Sequence, residues 1–470
     1  MLRFNERRRS LEQDDYRFEL QDVKEPNLYR DMFSYGQIPK IPFNYRLSPM
    51  DPPENIWITD TTFRDGQQSR PPFTVKQIVD LYDLLHQLGG KQGLIRQCEF
   101  FLYTDKDKEA VVKCLERGYK YPEVTGWIRA NKNDFKLVKE MGLKETGILT
   151  SASDYHIFYK LGKTRRQALE SYLDIVRAAL EVGIIPRCHF EDITRADFYG
   201  FVVPFAQELM KLSEESKIPI KIRACDTMGY GVGYPGAMLP RSVPGIVYGL
   251  SHFAKVPPQN LEWHGHNDFY KAVSNATTAW LYGCSGANGT ILGIGERTGN
   301  TPLEALVIEY MALRGDDSID TTIITDIANY FRKKIGCEIP PNQPLVGSHF
   351  NVTLAGIHLD GLLKNEEIYN IFDTRKLLKI PPGVAVNDKS GVAGIVHWIK
   401  VNLNVQREDL TKSHPGIIRI KDWVMEQYAK GRITVISDEE MMEQVKKHLP
   451  ELFESPREAS ESLETVRTPG

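Results

Sequence analysis

His264 and His266 stand two residues apart in Leu261-Glu-Trp-His-Gly-His-Asn-Asp268, at the end of a short apolar run. In an extended strand, side chains at i and i+2 point to one face. Two imidazoles sharing a strand end, once joined by a carboxylate, make a borderline-hard site for a divalent metal. An amphipathic helical pattern (Ala272, Val273, Ala276, Ala279, Trp280) begins just past Asn267-Asp268. The pair therefore sits where a strand feeds a helix, the place where βα barrels carry their active sites. A lone H-x-H pattern is more often a core histidine beside a surface one, so the case rests on what else converges there.

The first apolar run leads directly into Asp60-Thr-Thr-Phe-Arg-Asp-Gly-Gln-Gln68. In a closed barrel the first strand lies beside the eighth and near the seventh, which puts Asp65 within reach of a metal held by His264 and His266. The competing reading of Arg64-Asp65 is a weak loop ion pair. Farther on, Arg187-Cys-His-Phe-Glu191-Asp192 places Arg187, His189 and Glu191 on one strand face, and Cys225-Asp-Thr227-Met-Gly229 ends another strand. Gly293-Ile-Gly-Glu-Arg-Thr-Gly-Asn300 is a glycine-rich loop that lets backbone approach a ligand closely. Gly231-Val-Gly233 reads as a flexible loop only.

The elements that must position these residues recur in a fixed rhythm. Candidate strands are Ile56–Thr59, Gln97–Phe101, Glu123–Ile128, Glu145–Thr150, Ile184–Phe190, Ile220–Cys225, Leu261–His266 and Gly289–Leu292. Helix-period segments such as Val75–Leu88, Arg166–Glu181 and Val202–Ser216 lie between them. Eight strands alternating with helices over about 260 residues predict an α/β chain with a (β/α)8 TIM barrel. A doubly wound sheet competes poorly, because no early strand carries a dinucleotide-type glycine fingerprint. The expected order is an N-terminal arm over 1–50, a catalytic barrel over 51–318, a small α-rich accessory subdomain over 319–400, and helices over 401–470. The acidic end, Ser455–Gly470, is expected to be disordered.

The whole-chain balance narrows the function. Lys and Arg total 59 against 62 Asp and Glu, a formal net charge of −3, so no broad basic field draws nucleic acid or anionic lipid. Any anionic substrate must be met by local side chains. The six cysteines are widely spaced without a C-x-x-C pair and read as buried thiols in a reducing compartment. The N-terminus lacks an apolar targeting core, and no run approaches membrane-spanning length. A cytoplasmic enzyme is expected.

Taken together, the Asp60–Gln68 segment, His264-Gly-His-Asn-Asp268 and Gly295-Glu-Arg-Thr-Gly-Asn300 resemble the signature segments of the DRE-TIM metallolyase superfamily. Within it they resemble the acyl-CoA-dependent Claisen branch, which includes isopropylmalate, homocitrate and citramalate synthases. Ser151-Ala-Ser-Asp-Tyr-His156 with Lys160-Leu-Gly-Lys-Thr164, and Gly356-Ile-His-Leu-Asp-Gly361 followed by Lys364-Asn365, extend the likeness over roughly residues 55–400. The resemblance implies a divalent cation, Mn²⁺ or Mg²⁺ with Zn²⁺ also compatible, on Asp65, His264 and His266, with Asn300 as a fourth ligand. It implies Arg64 as stabiliser of oxyanion charge, and Thr227 as partner of the oxo-acid carboxylate. Arg187, Glu191 and Gln68 complete the pocket. His358 would remove a methyl proton from acetyl-CoA, and the accessory subdomain would reach a partner protomer, implying a homodimer. The chain departs from the pattern at Thr353, where relatives often carry a second histidine, and at Arg70-Pro71, which replace a small Pro-Gly turn. Only 70 residues follow residue 400, so no leucine-type feedback domain is expected.

The acceptor follows from charge. A dicarboxylic 2-oxo acid needs a cation or several donors for its second carboxylate, because an unpaired buried charge is costly. Arg70, Arg129 and His156 offer such partners near the mouth. The long arm and the segment Gly229-Tyr-Gly-Val-Gly-Tyr-Pro-Gly-Ala-Met-Leu-Pro-Arg241 most resemble the citrate-forming members of the branch. The expected reaction is therefore oxaloacetate plus acetyl-CoA giving citrate and CoA, ahead of homocitrate, isopropylmalate or citramalate formation. A hydroxymethylglutaryl-CoA-type lyase is disfavoured, because those enzymes resemble one another in a loop cysteine after strand eight. Gly293–Asn300 has none, and Cys284 precedes the strand. A silent barrel with a binding role is disfavoured because every proposed ligand is present.

Overall fold

Strand and helix alternate in the order expected, and the strands close on themselves. The structure is a computed structural model that describes residues 2–6, 9–13, 17–353, 358, 361–362, 364–405 and 410–453. The tail expected to be disordered lies outside the described residues, as does most of the Gly356–Gly361 motif. The chain divides into two units, Met1–Asp320 and Thr321–Gly470.

The first unit opens with an antiparallel hairpin, β1 (Leu2–Asn5) and β2 (Ser10–Gln13). The barrel strands are β3 (Trp57–Asp60), β4 (Ile95–Phe101), β5 (Glu123–Ile128) and β6 (Glu145–Ser151). They continue with β7 (Ile185–Glu191), β8 (Lys221–Asp226), β9 (Leu261–Gly265) and β10 (Gly286–Gly289). All pair in parallel, in the closed order β10-β3-β4-β5-β6-β7-β8-β9. This is a TIM-type barrel with helices between its strands, such as Val75–Gly89, Arg165–Glu181 and Val203–Ser216. Thr74 and Thr164 start two of them with capping boxes to Gln77 and Gln167.

One strand is displaced from its expected place. The eighth is Gly286–Gly289, not Gly289–Leu292, and Leu292 turns left-handed at φ 55° just beyond it. Ile291-Leu292 looked like a strand core because it is apolar. The true strand is built of small residues because its neighbours stand close. A Cβ on Gly286 would lie 3.1 Å from the Glu262 side chain, and one on Gly289 would lie 2.7 Å from the Thr301 carbonyl.

The two faces of the strands differ in kind. Outward residues such as Ile58, Phe100, Ile148, Phe190, Ile222 and Trp263 are buried and apolar. The inward row is charged. Glu99 accepts from Arg187 (2.6 Å), Arg64 (2.9 Å) and Arg223 (3.0 Å). Glu145 accepts from Arg187 (2.7 Å) and Lys221, and Glu262 from Arg223 (3.0 Å) and the Thr59 hydroxyl. A buried ion lattice of this kind is tolerable only when each charge has a partner.

Residues 17–50 run across the loops at the C-terminal ends of the strands. Gln21 N–H donates to the Gly200 carbonyl (2.9 Å), Asn27 N–H to Asp154 (2.7 Å), and Met238 N–H to the Pro42 carbonyl (2.9 Å). Arg165, fully buried, holds Asp154 through two bonds (2.7 and 2.8 Å), Asp197 (2.9 Å) and the Gln21 carbonyl (3.0 Å).

The second unit carries the short parallel pair β11 (Val352–Thr353) and β12 (Gly383–Val384). Helices Gly391–Leu403, Pro415–Ala429 and Asp438–His448 pack Ile395, Trp398, Ile399, Ile417, Ile420, Met441 and Val445 into one core. Residue 400, expected to divide two segments, lies inside the first of these helices, and residues on both sides of it share that core.

Candidate active site

The turn after β3 aims Asp65 into the mouth. The Thr61 carbonyl accepts from the N–H groups of Arg64 (3.2 Å), Asp65 (2.8 Å) and Gly66 (3.2 Å), which winds the chain tightly back over the barrel. Across the β3–β10–β9 seam, His264 Nε2 and His266 Nε2 lie 3.6 and 3.8 Å from Asp65 Oδ2. One ligand atom from each of the three residues falls within 4.8 Å of the others, and all three residues are buried. Asn300 donates from Nδ2 to Asp65 Oδ2 at 2.7 Å.

The donor set fits a divalent cation on three counts. Asn288 Nδ2 donates to Thr59 Oγ1 (2.9 Å) and the Thr59 carbonyl (3.2 Å), so its Oδ1 faces His264 Nδ1 at 2.7 Å. That oxygen requires a proton on Nδ1 and leaves the Nε2 lone pair toward Asp65, the outer-shell arrangement typical of ligating histidines. His266 Nδ1 and Asn300 Oδ1 are buried and have no partner among the described residues. Burial pushes His264 down to about 3 and lowers His266 as well, against the pull of Asp65, so both rings are neutral. Burial works to raise the Asp65 carboxyl, but the Arg64 guanidinium, with help from the Asn300 amide, holds it below the usual carboxylate range. Metal ligands must be deprotonated in this way. Asn288→Ala, which frees the His264 ring, is expected to weaken divalent-ion affinity by about 10- to 100-fold, as read by titrating Mn²⁺ into apo-protein.

The other residues expected here fall into three groups. Arg64, Glu191, Thr227 and His156 line the mouth. Arg64 is buried, with Nε on Glu99 and Nη1 3.3 Å from Asp65. Glu191 meets His156 Nδ1 at 3.0 Å, Lys160 at 3.1 Å and the Ser151 hydroxyl. Burial would raise the Glu191 carboxyl, yet His156, Ser151 and Lys160 together hold it at about 2. The Thr227 hydroxyl accepts from the Asp192 N–H (2.8 Å), which leaves its own proton to give.

Arg187, Arg70 and Gln68 do not take their expected places. Arg187 is consumed below the mouth, with Nη1 on Glu145 and Gln97 and Nη2 on Glu99 and Thr125. It is part of the ion lattice because its strand position lies four residues below Glu191. Arg70 spreads over the Phe73 ring at 3.9 Å, and Gln68 is exposed. Arg129, also considered for the acceptor, is paired with Asp134 (3.2 Å) over the Tyr103 ring. His358 lies in the second unit, exposed, 4.8 Å from the Tyr369 ring.

Glu99 and Asn288 are residues of the candidate site that sequence reasoning passed over. Both signals were present: a carboxylate two residues after Gln97 on the same strand face, and a carboxamide in a run of small residues. Arg297 is a third, tying the glycine-rich loop to Asp268 (2.8 Å) and to the Thr227 carbonyl.

A closed barrel with a His-His-Asp cluster at the C-terminal ends of its strands defines the class, and the kinship expected from the motifs holds. Residues 55–331 match the HMGL-like family model, and the chain belongs to that family. It is 59% identical over 460 residues to a citrate (Re)-synthase of Syntrophus aciditrophicus (strain SB), covering 97% of this chain and 73% of that one. It is 56% identical over 445 residues to a citrate (Re)-synthase of Clostridium kluyveri, covering 94% and 98%. A 2-phosphinomethylmalate synthase of Streptomyces hygroscopicus is 35% identical over 435 residues, covering 91% and 98%.

Proposed function

We propose that this chain condenses acetyl-CoA with oxaloacetate to give citrate and CoA. The observation that carries the reading is the buried Asp65–His264–His266 cluster in a chain similar to citrate (Re)-synthases over nearly its whole length. A divalent cation, Mn²⁺ or Mg²⁺, held by these three residues with Asn300 would supply Lewis acidity to a chelated 2-oxo acid. Arg64, fixed by Glu99, directs its guanidinium toward the oxygen on which charge develops. Thr227 donates to the C1 carboxylate, and Glu191 with His156 orders the far wall. His358 is the proposed base that takes the methyl proton of acetyl-CoA; the carbanion so formed attacks the keto carbon of oxaloacetate, the keto oxygen takes up a proton, and water then hydrolyses the thioester of the condensed product to give citrate and CoA. The working form proposed is a cytoplasmic homodimer of barrel and accessory subdomain, in keeping with six unpaired cysteines, five of them buried. Among the described residues no helix is long and apolar enough to cross a membrane.

A panel of 2-oxo acids with acetyl-CoA, followed by thiol release and citrate analysis, tests the reading. Oxaloacetate is expected to be the preferred acceptor, and a chelator should remove activity that Mn²⁺ or Mg²⁺ restores. Faster turnover of 2-oxoisovalerate or 2-oxoglutarate would defeat it.

A further inference from the structure

The stretch that carries His156 and Lys160 is held from outside the barrel. Tyr155–Lys160 is a single π-helical turn, with the Leu161 N–H on the His156 carbonyl at 2.9 Å. Such turns are rare and concentrate at functional sites. This one brings His156 Nδ1 to 3.0 Å from Glu191 and Lys160 Nζ to 3.1 Å from both of its carboxylate oxygens. The same stretch reaches Thr227. The Ser153 hydroxyl donates to Asp192 Oδ2 (2.5 Å), and the Asp192 N–H donates to the Thr227 hydroxyl (2.8 Å). Asp192 is left-handed at φ 62°, a conformation that persists for such a residue only when its surroundings over-determine it.

What fixes Ser153–Lys160 is the N-terminal segment. Asn27 N–H donates to Asp154 Oδ2 at 2.7 Å, and the Tyr155 hydroxyl donates to the Leu28 carbonyl at 2.9 Å. Asp154 is buried, and its two oxygens also take Nη2 and Nε of Arg165 at 2.7 and 2.8 Å. Arg165 is buried as well, and its Nη1 returns to the segment at the Gln21 carbonyl (3.0 Å). Arg30 and Arg195 cover the Tyr155 ring at 5.8 and 4.1 Å. Just beyond, the segment is anchored by Met32 and Phe33, whose side chains are buried, with Phe33 edge-on to the Tyr230 ring at 6.4 Å. None of the bonds from the segment to Asp154, Tyr155 and Arg165 involves a barrel strand, and the strand ladder closes without them. What they place is the turn.

We propose that Asp154, Tyr155 and Arg165 are positioning residues for the 2-oxo acid, and that residues 21–28 are the strap that holds them. The strap fixes the turn, the turn fixes Glu191 through His156 and Lys160, and Asp192 carries the same restraint to Thr227. This rests on the proposed function, which gives Glu191 and Thr227 to the acceptor side of the site. Ordering that is in place before binding is not charged against affinity, so a loosened strap weakens acceptor binding. The metal cluster stands apart: the bonds of Asp65, His264 and His266 run to one another, to Arg64, Asn288 and Asn300, and not to the turn.

Steady-state kinetics of the full chain test this, with oxaloacetate or whichever 2-oxo acid the wild type prefers. Asn27→Pro removes the N–H that meets Asp154. Asn27→Ser keeps it, together with an oxygen for the Tyr29 N–H that Asn27 Oδ1 holds at 3.2 Å. Tyr155→Phe keeps the ring and removes the bond to Leu28. Loss of one such bond is expected to raise KM for the oxo acid about 3- to 10-fold in Asn27→Pro and in Tyr155→Phe. kcat, KM for acetyl-CoA and Mn²⁺ affinity should stay within about twofold of wild type, and Asn27→Ser should restore the KM. An unchanged KM for the oxo acid in both variants, whatever their melting temperature, would overturn the strap while leaving the proposed function standing, and so would equal losses in that KM and in Mn²⁺ affinity. A wild-type chain that uses no 2-oxo acid overturns both.

Discussion

Asp65→Ala is expected to leave a folded barrel that neither retains a divalent ion nor turns over substrate. Asp65 is the only anionic member of the cluster, and it is ionised although buried. Without it, two neutral imidazoles face Arg64, whose Nη1 stands 3.3 Å from the lost carboxylate, and a dication would meet that guanidinium unshielded. Lewis acidity contributes several kcal/mol to such chemistry, and each 1.4 kcal/mol is tenfold, so turnover should drop by about a thousandfold or more. Metal content after dialysis and thiol release measured on the same sample check both halves. His358→Ala is expected to separate them, keeping the ion and losing turnover; near-normal turnover there would remove it as the base.

Glu99→Gln is expected to be the most destabilising single change in the barrel. Three guanidinium groups, on Arg64, Arg187 and Arg223, share this one carboxylate, and the amide would return no charge to any of them. Removing one partner of a buried ion pair costs about 3–5 kcal/mol, which corresponds to a fall in melting temperature of roughly 10 °C. Burial alone would raise the Glu99 carboxyl, but Arg223, Arg64 and Arg187 hold it well below its ordinary 4.5. The stability it supplies is therefore fully present above pH 4.5 and is lost as pH falls through the lower folded value. Melting curves of wild type and Glu99→Gln should lie farthest apart near neutrality and converge in acid. Parallel curves at every pH would assign the loss to packing instead of charge.

The barrel and its Asp65–His264–His266 cluster were legible because they follow from local rules. Two-residue spacing puts His264 and His266 on one face, strand closure brings Asp65 across, and apolar runs separated by helical periods count out the strands. What was missed lies where those rules do not apply. Hydrophobic patterning presumes an apolar interior, so Glu99, Arg223 and Glu262 passed without notice although each stands on an inward row. Arg187 has the right face but the wrong height: alternation gives direction, and depth along the axis comes only from the register with β6 and β8. Gly286–Gly289 carries almost no hydrophobic signal because close contact with β9 and the Thr301 backbone demands small residues. The selection of the acceptor was sought at Arg70, Arg129 and His156; Arg70 lies over the Phe73 ring, Arg129 pairs with Asp134, and His156 meets Glu191.

Everything chemical here depends on one ion being held by three side chains from opposite ends of the barrel sequence. Crystals grown with Mn²⁺ and measured at the manganese absorption edge test that most directly. An anomalous peak within coordinating distance of Asp65, His264 Nε2 and His266 Nε2 is the expected result. A peak elsewhere, or none at that position with Mn²⁺ in excess, would contradict it.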